Sequence, residues 1–391
     1  MGNSRAVCRC SFLAVIALIS TVGIFGQTQP VALSFAANRW TLSQRNFKIP
    51  ESQTPQHNGE LVDFLGRQSF RLARGLAYTN EVEFENGTIN VDIAADEKSR
   101  FFGIAFHVQS DDDYEVIFFR PGSSGTDQAI QYTPGLRGAN VWQLYTGPGY
   151  TATADIPRNQ WIHVRIVVAG LIAKLFLNNA THPSLIIPDL KLGQIAGGLG
   201  FWAHLGGGYY SNLSVTTDST VYDSTVKRQF EPGTLTDWEL SDIFDADKID
   251  ASAYPDVGRM KWEKVDAETP GMVVINRYRR SPNIDIPERE DRIRGVVTGA
   301  QIVFARTIIH SESDQTRRIN LGFSDDVVVF LNGKPIYAGN NELGSRQPNF
   351  LGLLDTHNDA IYLPLTKGDN ELVLSVLEFF GGWGFMCKLA E

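Results

Sequence analysis

Short stretches of alternating apolar and polar residues recur along the chain. In residues 88–93, TINVDI, the apolar Ile89, Val91 and Ile93 alternate with Asn90 and Asp92. This alternation places the two sets on opposite faces of a β-strand. Similar short runs, rich in β-branched and aromatic residues and separated by Gly, Asn, Asp or Pro, continue towards the C-terminus, and no segment has a clear amphipathic helical period. The pattern predicts an all-β protein built from sandwiches or barrels.

An Asn-Gly pair marks one predicted hairpin. In SDDVVVFLNGKPIY, residues 324–337, Asn332 and Gly333 separate two strand-like runs. Both positions of such a turn need positive φ, which Asn and Gly tolerate best. Asp325 and Asp326 stand before the first run, and three roles are open for them. They cap the chain where it turns into a buried strand, they bind calcium through their oxygens, or they are catalytic.

The alternating pattern is interrupted once. Residues 216–236 are polar, contain Pro and Gly and have no strand period, so they predict a linker. We therefore predict a first β-sandwich over residues 31–218, a linker over residues 219–235 and a second sandwich over residues 236–391. With 391 residues, the chain is long enough to build two such cores.

The N-terminus has the layout of a secretory signal peptide over residues 1–26. Arg5 and Arg9 precede an apolar stretch from Phe12 to Phe25, and that stretch is shorter than the roughly 20 residues that span a bilayer. An uncleaved anchor is the alternative, and no later segment is apolar enough to span a membrane. Cys387 is the only cysteine beyond this region, which favours an exported bacterial protein without disulfides, located outside the cell, in the periplasm or on the cell surface.

Charge and motifs exclude several function classes. The formal net charge is −9 and no basic stripe is present, so nucleic acid is not an expected partner. The chain has no G-x-S-x-G, H-E-x-x-H or P-loop motif, and its histidines are dispersed, which removes the common hydrolase, zinc and nucleotide sites. We expect no cofactor, with calcium as the one alternative.

Four stretches within residues 31–218 occur in an order similar to that of the concanavalin A-like, laminin-G-like jelly-roll superfamily. They are FENGTINVDI, FGIAFHVQSDDDYEVIFFRP, NQWIHVRIVVAGLIAKLFLNN and GGLGFWAHLGGGYYSNLSV. The resemblance covers most of residues 31–218 and implies a lectin-like sandwich. It leaves function open, because this superfamily contains lectins, hydrolases, lyases and adhesion modules.

The predicted second sandwich, residues 236–391, resembles the galactose-binding-like jelly rolls that are appended to bacterial carbohydrate-active enzymes. The resemblance is carried by RINLGFSDDVVVFLNGKPIYAG and LPLTKGDNELVLSVLEFFGGWGFMCKL, and it is best after Val296. It implies a domain that is often non-catalytic and often attached where a glycan is held. In this family Trp383 would belong to the closing strand, as a core residue or a ligand contact.

Three alternating acids are the catalytic candidates. Glu81, Glu83 and Glu85 of EVEFENG would share one face of a strand, with about 6–7 Å between neighbours, close to the separations of glycosidase carboxylate pairs. The pattern resembles the E-x-D-x-E catalytic strand of laminarinase-like hydrolases. The alternative is a solvated strand face with Val82 and Phe84 packed inside.

Aromatic and polar residues on strands and Gly-rich loops are the ligand candidates. Aromatic rings support the apolar C–H faces of sugars, while polar neighbours bond the hydroxyl groups. Alternation places Arg120 on the face of Val116 and Phe118. The candidates are His107, Tyr114, Glu115, Arg120, Trp142, Tyr145, Trp202, His204, Tyr209 and Trp383, with Glu115 also a catalytic candidate if the protein is an enzyme.

Together these observations predict a secreted or envelope carbohydrate-binding protein without catalysis, which holds a glycan on the concave face of its lectin-like sandwich. Two alternatives remain open. One is a glycoside hydrolase or lyase of the concanavalin A-like superfamily, and the other is a cell-surface module that binds a protein partner.

Overall fold

The computed structural model describes residues 29–43, 59–223, 225, 228–281 and 300–390. The predicted signal peptide lies outside these residues. The all-β prediction is confirmed, since the described helical elements are three single 3-10 turns, Ala37–Arg39, Pro121–Ser123 and Ile275–Arg277. In the described part of the chain, no helix has the length and apolar character needed to cross a bilayer.

Sixteen strands belong to the first sandwich. They are β1 (Val31–Ala32), β2 (Thr41–Leu42), β3 (Gly59–Phe64), β4 (Arg67–Leu72), β5 (Gly75–Phe84), β6 (Gly87–Ala94), β7 (Phe101–Val108), β8 (Tyr114–Phe119), β9 (Ile130–Leu136), β10 (Ala139–Asn140), β11 (Thr151–Ala152), β12 (Ile162–Ala169), β13 (Ile172–Leu177), β14 (Leu185–Ile187), β15 (Gly197–His204) and β16 (Gly208–Thr217).

These strands form two eight-stranded sheets that pack face to face. Sheet A has the order β14-β13-β12-β6-β16-β4-β3, with β1 beside β16. Sheet B has the order β10-β9-β8-β7-β15-β5-β2, with β11 beside β9. Neighbours along the chain are often not neighbours in a sheet, because the chain crosses between the sheets as jelly rolls and Greek keys do.

The core of the first sandwich follows the alternation of its strands. Ile89, Val91 and Ile93 are fully buried and pack in one cluster with side chains of β7 such as Ile104 and Phe106, whereas Asn90 and Asp92 on the other face are half-buried. The alternation predicted for this strand is therefore confirmed. Burial of apolar side chains between two sheets is the main stabilising contribution to such a fold.

Ten strands belong to the second sandwich. They are β17 (Asp237–Asp245), β18 (Glu263–Asp266), β19 (Met272–Val274), β20 (Gln301–Ser311), β21 (Gln315–Ser324), β22 (Asp326–Leu331), β23 (Lys334–Asn340), β24 (Asp359–Leu365), β25 (Gly368–Glu378) and β26 (Gly384–Leu389). Sheet C has the order β18-β17-β20-β25-β22-β23, and sheet D has the order β19-β26-β21-β24.

The predicted Asn-Gly hairpin is present in sheet C. Strands β22 and β23 pair antiparallel up to Leu331 and Lys334. The two residues between them, Asn332 and Gly333, have φ of 49° and 79°. These are the positive values that a two-residue turn of this class requires, so the local signal alone was sufficient to predict the hairpin.

An apolar cluster joins the two sandwiches. Leu136, Val141 and Leu144, from the end of β9 and the loop after β10, pack with Met272 and Leu354 of the second sandwich. These residues are buried although they belong to neither sandwich core. The contact therefore removes apolar area from water that each sandwich alone would expose, which favours a fixed arrangement of the two.

A buried ion network lies beside this cluster. The carboxylate of Glu268 in the second sandwich pairs with Arg277 and lies 3.3 Å from Nζ of Lys191 in the first sandwich. Tyr145 donates its hydroxyl hydrogen to the same carboxylate at 3.0 Å. Burial alone would raise the pKa of Glu268, but the charges of Arg277 and Lys191 hold it below its ordinary value. Glu268 is thus ionised and is shared by both sandwiches.

Replacing this carboxylate tests its importance for the interface. Glu268→Gln leaves Lys191 and Arg277 beside a neutral group, and removal of one partner from a buried ion network costs about 3–5 kcal/mol. We expect a loss of that size in the free energy of unfolding, measured by urea denaturation followed by tryptophan fluorescence.

Glu231→Gln is the matched control, because Glu231, in the predicted linker, pairs with Lys388 of the second sandwich while its side chain is 71% exposed. Exposed pairs contribute little, so this control should unfold close to wild type. Equal effects of the two substitutions would contradict the role assigned to Glu268.

Candidate functional site

The outer face of sheet B, turned away from the core, carries a group of adjoining rings around one arginine. Strands β7, β8 and β15 supply most of them, and the loop after β10 supplies one tryptophan. We call this group the aromatic platform, and its members are Phe101, Phe118, Arg120, Trp142, Trp202 and His204. Phe118 and Arg120 are buried, and the other four are half-buried.

The strand register brings the rings of the platform together. Trp202 of β15 is opposite Gly103 of β7, which is in turn opposite Phe118 of β8. A Cβ at Gly103 would lie 2.7 Å from Cα of Phe118, so the position requires glycine. Across it, the centroids of Trp202 and Phe118 approach to 5.3 Å. The glycine therefore lets two rings on non-adjacent strands form one surface.

Arg120 occupies the middle of the platform. Its guanidinium carbon lies 4.6 Å from the centroid of Phe118, 5.8 Å from Trp142 and 6.0 Å from Phe101, within the range of cation–π attraction. Burial lowers the pKa of Arg120 to about 10, which leaves it protonated at neutral pH. Among the described residues, no carboxylate forms an ion pair with it, and its Nη1 donates to the carbonyl oxygen of Gln128 at 2.9 Å.

One buried glutamine fixes both Arg120 and Trp142. Gln131 of β9 accepts a hydrogen bond from the guanidinium of Arg120 through its side-chain oxygen. Its Nε2 donates to the carbonyl oxygens of Trp142 at 2.7 Å and Tyr145 at 2.6 Å. Because a fully buried amide with all these bonds has little freedom, the loop that carries Trp142 is held in place against the sheet.

His204 closes the other end of the platform. It is opposite Phe101 in the strand register, and the two ring centroids are 6.0 Å apart. Burial, together with the positive charge of Arg74, lowers the pKa of His204 to about 4. The imidazole is therefore neutral at neutral pH. The platform can support a flat apolar surface and donate hydrogen bonds, but it has no carboxylate for acid–base chemistry.

The structure brings together four of the ten predicted ligand residues, Arg120, Trp142, Trp202 and His204. A fifth, Tyr114, lies buried in the same outer-face cluster. The ring of Tyr209 stacks on Phe64 on sheet A, with centroids 3.7 Å apart.

The remaining predicted residues are enclosed. His107 is fully buried, and its Nε2 is hydrogen-bonded to the carbonyl of Glu85 at 2.8 Å. Tyr145 is buried at the interface between the sandwiches, and Trp383 is in the core of the second sandwich. A glycan cannot reach these side chains in this arrangement, and Nδ1 of His107 is buried without a hydrogen-bond partner among the described residues.

Glu115 lies on the opposite side of sheet B from Arg120. It is five residues away on an alternating strand, so it is directed into the sandwich. Its carboxylate accepts hydrogen bonds from the hydroxyl of Tyr132 and, at 2.8 Å, from the backbone N–H of Leu192. Burial raises the pKa of Glu115 to about 7. These contacts give it a structural role in the core and keep it from a ligand on the platform.

The three alternating acids lie at one end of β5. Glu81 and Glu83 are exposed, Phe84 is fully buried, and Val82 packs against the core. Glu81 pairs with Arg39 at 3.1 Å, and Glu85 accepts from Nε2 of Gln194 at 2.7 Å. Glu83 and Glu85 line a shallow depression of about 260 Å³. The arrangement matches the solvated strand face, and the depression keeps the hydrolase alternative open.

Asp325 and Asp326 differ in burial, since Asp325 is enclosed and Asp326 is half-buried. Asp325 is buried, and its Oδ2 accepts hydrogen bonds from the backbone N–H groups of Phe379 at 2.7 Å and Phe380 at 2.6 Å. Burial and the neighbouring Glu378 raise its pKa well above the ordinary value. Within the described ranges, no three side chains of His, Cys, Asp or Glu converge as a metal ion would require. The observed role of Asp325 is to hold backbone amides.

A second concave region lies between the sandwiches. It is a crevice of about 1020 Å³ lined by both of them, with Tyr150, Met272 and Met386 among its apolar surfaces and Asp189 and Asp355 among its acids. Tyr150 already donates to Asp189 at 3.2 Å. The described residues that line the crevice include no row of adjoining rings like that of the platform.

Sequence reasoning missed three residues of this site. Phe118 could have been found, because alternation puts it on the same face as Arg120. Phe101 and Gln131 could not, since their roles depend on pairing with β15 and on the loop after β10, which the order of residues along the chain does not reveal.

Comparisons with known proteins add weak structural matches. No family model matches the chain, and no curated protein matches it. The solved structures that it is similar to include a carbohydrate-binding module, CBM66, from Bacillus subtilis, at 13% identity and a TM-score of 0.32, covering 40% of this chain and 90% of that one. These values are too low to carry information about a ligand.

Two further matches are of the same quality. The β-glucanase of Bacillus licheniformis has 10% identity and a TM-score of 0.32, over 48% of this chain and 95% of that one. The galectin LEC-6 of Caenorhabditis elegans has 12% identity and a TM-score of 0.25, over 42% of this chain and 97% of that one.

The buried Glu115 predicts a pH dependence of stability. Its raised pKa means that the folded chain binds more protons than the unfolded chain between pH 4.5 and about 7. The contribution of Glu115 to stability is therefore present below pH 4.5 and is lost as the pH rises through about 7. For Glu115→Gln, we expect the free energy of unfolding to rise relative to wild type over this interval, on the order of 3 kcal/mol in total.

Denaturation of both proteins at pH 5 and pH 8 measures this difference. The comparison with wild type cancels the contributions of other groups, such as His204, whose lowered pKa makes stability fall as the pH falls. Parallel pH profiles for variant and wild type would contradict the account of Glu115.

Proposed function

We propose that this chain is a secreted or envelope carbohydrate-binding protein that holds a glycan on the aromatic platform and does not itself catalyse a reaction. The observation that carries the proposal is the pair of half-buried rings, Trp202 and Trp142, which are linked through the buried Phe118 and Arg120. Sugar rings have apolar C–H faces that pack on such rings, and their hydroxyl groups accept hydrogen bonds from a guanidinium.

The chemistry of the platform supports binding without turnover. Glycoside hydrolysis uses a pair of carboxyl groups on either side of the scissile bond, and the platform has none. Glu115, the nearest candidate in sequence, is enclosed in the core with its oxygens bonded to Tyr132 and Leu192. A bound glycan would therefore meet rings, an arginine and a neutral histidine.

A glycoside hydrolase is the second candidate. The observation in its favour is that Glu83 and Glu85 line a depression at the end of β5. If that depression is an active site, the chain should release shorter products from a glycan it binds, and Glu83→Gln should abolish their release. Binding without products supports the non-catalytic proposal.

The first experiment is a glycan-array binding assay on the chain without residues 1–26, with and without EDTA, followed by a product assay on each glycan bound. We expect binding, no products and no effect of EDTA. Loss of binding with EDTA would add calcium to the site. No binding to any glycan would overturn the proposal and favour a protein partner.

Removal of one ring tests the platform directly. We expect Trp202→Ala to lower the affinity for the bound glycan about fivefold or more, since loss of a ring contact in a binding site is worth about 1 kcal/mol or more. Titration calorimetry measures the change. Tyr362→Ala is the matched control, because Tyr362 is 67% exposed on the second sandwich and away from the platform. Equal affinities for wild type and Trp202→Ala would contradict the assignment.

A further inference from the structure

The loop after β25 brings an aromatic residue of the second sandwich to the edge of the platform. The ring of Phe380 lies 6.3 Å from the ring of Trp142, at an angle of 67°, an edge-to-face geometry typical of interacting aromatic pairs. Phe380 is half-buried. The row of rings that begins at Trp202 on the first sandwich therefore continues onto the second.

Two glycines allow this close approach. Gly381 has a φ of 89°, and a Cβ at this position would collide with the side-chain oxygen of Gln143 and lie 3.1 Å from Nε1 of Trp142. A Cβ at Gly382 would lie 2.9 Å from Cγ of Leu144. The backbone of this loop thus packs directly on the loop that carries Trp142, where no side chain would fit.

Buried polar groups fix the loop from the side of the second sandwich. The carboxylate of Asp325 binds the N–H of Phe379 and of Phe380, and the side-chain oxygen of Asn276 accepts the N–H of Trp383 at 2.7 Å. Both side chains are fully enclosed. The position of Phe380 is therefore set by the core of its own sandwich.

Gln143 fixes the same contact from the first sandwich. It is fully buried, and its Nε2 donates to the carbonyl of Leu351 in the second sandwich at 2.9 Å. The loops around Leu351 and Gly381 both pack on this one residue, which directly follows Trp142. Contacts in the second sandwich fix the loop of Phe380, and Gln143 fixes the loop of Trp142 against the second sandwich, so the two rings keep their relative positions.

From this geometry we propose that the binding site is composite: Phe380 of the second sandwich extends the platform, and the ligand is an extended oligosaccharide chain rather than a single terminal sugar. The inference rests on the proposed glycan-binding function. The half-buried rings of Trp202, Trp142 and Phe380 follow one another along a row longer than one sugar ring, with the buried Phe118 between the first two. Successive sugars of a linear chain would contact these three rings in turn. The row crosses the junction of the sandwiches, so neither sandwich alone offers the whole site.

A length series of sugars tests the proposal. The probes are the monosaccharides, disaccharides and hexasaccharides of the cello-, xylo-, arabino- and galacto- series, titrated calorimetrically into the full chain. For the series that binds, we expect hexasaccharide affinity to exceed monosaccharide affinity at least tenfold. Phe380→Ala should lower hexasaccharide affinity about tenfold and leave the affinity for the shortest sugar that binds unchanged, whereas Trp202→Ala should lower both.

Two further variants separate the ring of Phe380 from the fold. Phe380→Tyr keeps the ring and should bind as wild type. Gly381→Ala keeps Phe380 but should push its loop away from Trp142, and should reproduce the loss of hexasaccharide affinity. Tyr362→Ala controls for loss of an exposed ring on the same sandwich, and melting temperatures report whether each variant is folded.

The outcomes distinguish the two proposals. If Trp202→Ala weakens binding but Phe380→Ala leaves hexasaccharide affinity at the wild-type value, glycan binding stands and the composite site is wrong. Equal affinities for monosaccharide and hexasaccharide would also overturn the proposal that the ligand is an extended chain. If wild type binds none of these sugars and no glycan on the array, the proposed function fails and this inference fails with it.

Discussion

The carboxylate of Glu268 is the contact on which the arrangement of the molecule depends. It belongs to the second sandwich, yet two of its partners, Lys191 and Tyr145, belong to the first. A buried charge is costly unless it is paired and hydrogen-bonded, so these partners must stay together. The apolar cluster of Leu136, Leu144 and Met272 beside it adds the hydrophobic part of the same junction. Together they favour one fixed relation between the sandwiches.

The candidate site depends on that relation. The loop containing Trp142 lies between the edge of sheet B and the second sandwich, and Gln131 holds it on one side while Gln143 holds it on the other. Phe380 reaches Trp142 only because Gly381 and Gly382 pack against this loop without side chains. The interface and the platform therefore share structural elements, and a change in domain orientation would separate the rings at the junction.

Local sequence signals predicted the fold better than the site. The alternation of Ile89, Val91 and Ile93 and the turn at Asn332-Gly333 depend on neighbours along the chain, so both were predictable. Site residues depend on which strands pair, and the sequence does not state this. Trp383 and Tyr145 have the residue type of ligand contacts but are buried in a core and at the interface. Phe101 and Phe380 reach the platform through strand order and through a loop contact between the sandwiches.

A crystal structure of the chain with a bound hexasaccharide would test the central claim most directly, which is that the two sandwiches present one continuous binding surface. The account predicts sugar rings on Trp202 and Trp142, a hydroxyl group near Arg120, and a chain that continues past Trp142 to Phe380. A hexasaccharide bound in the crevice beside Tyr150 and Met272, or at Glu83 and Glu85, with the platform empty, would contradict it.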